Sequence, residues 1–142
     1  MKAEQNKRRM RLIYAALERG NSRPFLDALA DDVSWTIIGT TEWSGIWRGK
    51  AAVRARLLDP LFAQFATRYR NRAIRLIAEG DWVVIECRGD VITKTGNPYR
   101  NTYCNVFRLE DGMVKEITEY CDTELLTKAL LPADRGSGMI TA

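Results

Sequence analysis

Apolar side chains recur along this chain in two rhythms. In the first half the rhythm is helical. Met10, Ile13, Tyr14 and Leu17 fall three or four residues apart, which predicts an amphipathic helix over 4–19 that Gly20 stops. Asn21-Ser22-Arg23-Pro24 carries cap and first-turn chemistry for a short second helix over 25–30. The apolar run 33–38 reads as a short strand. Val53, Leu57, Leu61 and Phe65 then repeat every four residues, predicting a helix over 50–65 that Pro60 kinks or splits after Leu58.

Beyond residue 67 the rhythm shortens to two. A strand over 67–78 places Arg68, Arg70 and Arg72 in phase with Ile74 and Leu76, which calls for a bulge or strong twist near Ala73. Strands follow over 82–93, 99–110 and 113–121. Thr95-Gly96-Asn97-Pro98 turns between the first two and Asp111-Gly112 between the last two. Asp122 is the cap candidate of a closing helix over 123–131, which Pro132 ends. The order predicts an α+β fold in one domain, 1–131, with a mobile tail over 132–142.

Alternation gives every strand two faces. Val84, Glu86, Arg88 and Asp90 share one; Asn101, Tyr103, Asn105 and Phe107 share another; so do Ile117, Glu119 and Cys121. If these rows line one concavity, six polar groups converge in an apolar bowl: Arg88, Asp90, Asn101, Tyr103, Asn105 and Glu119. If the rows face water, they form a solvated sheet surface with cross-strand ion pairs. Tyr14 either reaches the bowl or packs in the core. Trp43 and Trp47, in a glycine-punctuated loop, cover a cavity mouth or a partner, or pack across the turn.

Composition narrows the chemistry. The chain has 142 residues, enough for a sizeable core without disulfide or metal. It contains no histidine, which excludes imidazole as a base and most catalytic zinc sites. Of the net charge of +4, residues 1–23 carry +5, on one terminal helix with no interleaved aromatic motif. That excess predicts no nucleic-acid partner. Cys87, Cys104 and Cys121 have no CxxC spacing and suit buried free thiols in a reducing compartment. No apolar run is long enough to span a membrane or to serve as an export signal. These features predict a cytoplasmic protein without metal or cofactor.

Several stretches carry a family likeness. They are Ala30-Asp31-Asp32-Val33-Ser34-Trp35; Trp43-Ser44-Gly45 with Arg48-Gly49-Lys50-Ala51-Ala52-Val53; Gly96 through Tyr103; and Val106-Phe107-Arg108-Leu109-Glu110-Asp111-Gly112-Met113-Val114, leading to Glu119-Tyr120-Cys121-Asp122. Over roughly 5–131 the chain resembles the NTF2-like superfamily, in particular its SnoaL-like branch, which includes limonene-1,2-epoxide hydrolase. The resemblance implies a cone in which a curved antiparallel sheet wraps the N-terminal helices, and a homodimer paired through the sheet. From the epoxide hydrolase it implies Asp90 as acid, Glu119 as base and Arg88 as the bridge between them. That branch holds its water with a Tyr and an Asn at positions that here are Trp35 and Ile37. The acids of the steroid isomerase branch fall near Ile37 and Asn105.

Two functions follow as expectations. The first is a cofactor-free acid–base enzyme (isomerase, cyclase or epoxide-hydrolase-like) acting on a hydrophobic small molecule. Its catalytic residues would be Asp90, Glu119 and Arg88, and its substrate contacts Tyr14, Trp35, Trp43, Asn101, Tyr103 and Asn105. The second is a ligand-binding or dimeric assembly protein without turnover.

Overall fold

The computed structural model describes residues 2–132. The expected tail, 132–142, lies outside the described residues apart from Pro132. Helix α1 (Lys2–Glu18) buries Met10, Ile13, Tyr14 and Leu17, the stripe its spacing predicts. Gly20 ends the turn after it at φ 81°, a conformation glycine adopts without strain. Helix α2 (Arg23–Ala28) carries Pro24 in its first turn and leads directly into β1 (Leu29–Ile37). That strand starts earlier than the apolar run suggests, because Leu29 already pairs with the last strand of the sheet.

Strand β2 (Gly45–Arg48) is followed by a helical segment in three parts. These are α3 (Lys50–Ala52), a π-helical turn (Val53–Leu58) and α4 (Asp59–Phe62). The break after Leu58 falls where Pro60 removes a backbone donor. Strands β3 (Arg70–Glu79), β4 (Trp82–Ile92), β5 (Pro98–Tyr99), β6 (Thr102–Glu110) and β7 (Met113–Cys121) come next, then α5 (Thr123–Ala129). The expected bulge near Ala73 appears as a register shift between Ala73 and Arg75.

The sheet order is β2-β1-β7-β6-β4-β3, with β5 beside β4. The sheet curls into a half-barrel with the helices on its concave side. One expectation is corrected. The sheet is mixed, not antiparallel throughout, because β1 runs parallel to β7, with Trp35 opposite Ile117 and Ile37 opposite Glu119. A parallel pair needs a long crossover, and here the crossover is most of the protein.

The inner face is apolar. Val83, Ile85, Cys87 and Val91 of β4 and Phe107 and Leu109 of β6 are buried, as are Val114 and Ile117 of β7. On the outer face one register row crosses six strands: Ile46, Thr36, Thr118, Val106, Val84 and Ile77. Charged pairs flank it, among them Arg75–Glu86 at 2.6 Å and the Arg108–Glu116 contact. Among the described residues, no helix is long and apolar enough to cross a membrane.

Candidate functional site

Residues from both halves of the chain enclose a cavity of ≈ 80 Å³ between the helices and the concave sheet face. The helical side contributes Tyr14, Leu17, Phe25 and Leu26, and then Leu57, Leu58, Leu61 and Phe62 from around the π turn. The sheet contributes Trp35, Ile37, Asn71, Tyr103, Asn105 and Glu119, and Leu126 and Leu130 close one side. Leu57, Leu58 and Leu61 fall on one side of this helical segment, since positions three and four residues apart share a face. Phe65 and Tyr69 stack at 5.7 Å between ring centres on the segment leading into β3.

Among the described residues Glu119 is the only carboxyl group on this wall, with 9 % of its surface exposed. Its one hydrogen bond among the described residues comes from Trp35 Nε1, which donates to Oε1 at 3.3 Å. β1 and β7 run side by side in parallel, and that pairing brings these two side chains together. Burial pushes the carboxyl up to about 7, and the indole donor offsets only part of that rise.

The neighbouring tyrosines stay protonated at neutral pH. Burial raises Tyr14, Tyr69, Tyr99 and Tyr103 above the usual phenol range. Tyr103 donates to the Tyr99 hydroxyl at 3.3 Å. Asn105 Nδ2 donates to the Tyr14 hydroxyl at 3.3 Å, and Asn71 Nδ2 to the Tyr69 hydroxyl at 3.0 Å.

The sequence-predicted residues divide into two groups. Tyr14, Trp35, Trp43, Tyr103, Asn105 and Glu119 all line the cavity. Arg88 and Asp90 do not, and the expectation that they share a concavity with Glu119 is corrected. Both are exposed on the outer face, where Asp90 accepts from Arg100 Nε at 3.0 Å. Register decides the matter: Cys87 stands opposite Tyr103 and Arg88 opposite exposed Thr102, so the charged row of β4 must face out. Together with Arg70, Arg72 and Arg100 they line a surface groove that shares Asn71 with the cavity wall.

Asn101 also stands off the cavity wall. It is buried, donating to Tyr99 Oη and the Asp122 carbonyl, each at 3.0 Å, and accepting from the Asp122 amide at 3.1 Å. It clamps the start of α5 to β6. The cavity residues missing from the expected set include Tyr69 and Asn71. A signal for them was present: Arg68, Arg70 and Arg72 share a face, which sends Tyr69 and Asn71 to the other one.

The geometry is that of a small apolar chamber with one carboxyl at its wall. A family model described as a SnoaL-like domain matches residues 10–117. The chain belongs to the SnoaL-like domain family. Solved structures with the same SnoaL-like architecture include an NTF2-like protein from Burkholderia xenovorans, 24% identical over 91% of this chain and 98% of that one, with a TM-score of 0.68. A protein proposed to be a SnoaL-like polyketide cyclase, from Jannaschia sp. CCS1, is 16% identical over 90% and 92%, with a TM-score of 0.72. A proposed isomerase from Bacillus subtilis is 19% identical over 91% and 95%, with a TM-score of 0.74. At these identities the likeness is one of fold. No curated protein matches the chain.

Proposed function

We propose that this SnoaL-like protein is a cofactor-free acid–base enzyme that isomerises or cyclises a hydrophobic small molecule, with Glu119 as its single proton-transfer group. The observation that carries the reading is a lone carboxyl in an apolar cavity whose burial brings it up to about 7. A base matched to neutral pH can take a proton and return it with little loss in either direction. In this reading Glu119 removes a proton next to a carbonyl or from a hydroxyl and delivers it to another atom of the same molecule. In this reading the Tyr14 hydroxyl, which accepts from the Asn105 amide, turns its proton from the Cys87 thiol to the oxygen that gains charge.

Hydrolysis by two carboxyl groups bridged by an arginine is not proposed, since Asp90 and Arg88 lie on the outer face. Supporting the isomerase or cyclase reading, such chemistry needs one carboxyl that gives back what it takes. The non-catalytic alternative rests on the same fact: one carboxyl, with no second one beside it among the described residues, is also what a plain ligand-binding cavity would hold. The protein is further proposed to pair through the outer sheet row, to use no cofactor, and to reside in the cytoplasm with its three thiols free.

The experiment is a screen of enolisable ketones, lactones and epoxides with product analysis, repeated with Glu119→Gln. Loss of 10²–10⁴-fold in kcat with the fold retained is the expected result. Arg88→Ala and Asp90→Ala should stay within about twofold of the parent, the usual outcome for exposed positions away from a site. Ligands that bind and are recovered unchanged would favour the non-catalytic alternative.

A further inference from the structure

Two polar atoms in the cavity wall lack what buried polar atoms almost always have. Asn71 and Asn105 keep only 5 % and 6 % of their surfaces exposed. In each the amide nitrogen is used, by Tyr69 in one case and by Tyr14 and the Cys87 thiol in the other. In each the carbonyl oxygen, Oδ1, has no hydrogen-bond partner among the described residues. Turning either amide over would not help. The oxygen would gain a hydroxyl donor and the nitrogen would lose its acceptor, leaving one orphan again.

An orphaned buried acceptor costs on the order of 1–3 kcal/mol, and this cavity wall holds a pair of them. An apolar residue of similar shape at either place would avoid the cost. The two stand on different strands, Asn71 on β3 and Asn105 on β6, with β4 between them. Asn105 reaches the Cys87 thiol from one side at 3.7 Å, and Asn71 lies on the diagonal at the other side, opposite Gly89. The two unpaired oxygens therefore belong to separate strands of the chamber wall and do not form one shared polar spot.

We infer that Asn71 and Asn105 determine ligand choice: the cavity takes a mostly apolar molecule that carries two hydrogen-bond donors, hydroxyl or N–H, one for each amide oxygen. A molecule with acceptors only, such as an ether, ester or epoxide, leaves both oxygens orphaned and is disfavoured. Discrimination of this kind is strong because rejection comes from unpaired polar groups in the wall. The inference rests on the cavity being a ligand site, as proposed above. It concerns binding and does not require turnover.

The test is calorimetric binding of matched probes: resorcinol against 1,3-dimethoxybenzene, and 2,7-dihydroxynaphthalene against 2,7-dimethoxynaphthalene. A chamber without acceptors ranks the more lipophilic dimethoxy compounds first. Here the dihydroxy member of at least one pair should bind at least tenfold tighter. Asn71→Leu and Asn105→Leu should each cut that advantage at least threefold, and the double variant should remove it. Arg75→Ala, on the outer face, should leave it in place.

A wild-type ranking led by the dimethoxy compounds, or no binding by any probe, overturns the inference, and neither result needs a variant that folds. A preference that survives both asparagine variants and vanishes in Glu119→Gln also overturns it, because the carboxyl would then be the acceptor. Failure of the acid–base reading shows separately, as unchanged turnover in Glu119→Gln, and leaves the binding ranking intact.

Discussion

At the scale of single residues, Glu119 links the environment of a site to the stability of the protein. Its carboxyl titrates near 7 in the folded chain and near 4.5 as an ordinary group. Between those values the native state holds a proton that the unfolded chain has released. Stability attached to this residue is therefore complete below about pH 4.5, falls as pH rises, and is gone above about 7. The amount is on the order of 3 kcal/mol. Thermal denaturation at stepped pH should show wild type losing stability relative to Glu119→Gln between about pH 4.5 and 7. Parallel curves would mean that the carboxyl titrates as if exposed. How much of the site was legible also shows residue by residue. Alternation set Tyr103, Asn105 and Glu119 on the faces that line the cavity. It misled at Arg88 and Asp90 because the polar row of β4 was preferred to the row of Val83, Ile85, Cys87 and Val91, although burial favours apolar rows. Pairing between residues 35 and 119 had no local mark at all.

At the scale of elements, most boundaries follow from punctuation: Gly20, Pro60, Asp111-Gly112 and Asp122 each act where they stand. The π turn was not legible, since no residue type in Val53–Leu58 marks an extra residue per turn. Gly89 sits on the inner row of β4, where an added Cβ would lie 2.8 Å from the Tyr69 hydroxyl and 3.0 Å from Tyr103 Cε2. Gly89→Ala should therefore destabilise by about 1–3 kcal/mol, read as a lower urea midpoint, because two ring side chains must move. At the other end of the cavity, Asp122 Oδ1 accepts from the amides of Glu124 and Leu125 and caps α5. Asp122→Ala should cost about 1 kcal/mol. It should speed amide exchange in residues 124–130 while leaving β6 protected, since Leu126 and Leu130 ride on that helix over the cavity.

At the scale of the whole molecule, the outer sheet surface carries an apolar row that no other element covers among the described residues. Ile46 and Ile77 remain 54 % and 57 % exposed at the two ends of the row that crosses it. Val84 and Val106 stand at its centre, and complementary charges border it. Such a surface suits a two-fold contact in which one copy faces another. Light scattering should give twice the chain mass, and Val84→Arg should halve it without lowering the thermal midpoint extrapolated to low concentration. A chain that is already monomeric before substitution would dismiss the pairing.

The parallel seam between β1 and β7 has a consequence for how the protein is made. Trp35 emerges from the ribosome some eighty residues before the strand it lies against. The β3-β4-β6 meander has its partners early, so it can form while synthesis continues. The seam cannot, and until it closes the indole has no carboxyl to meet. A prematurely terminated chain lacking β7 would therefore hold a partial sheet without Glu119, so that the sheet and the proposed site are completed in a single late event.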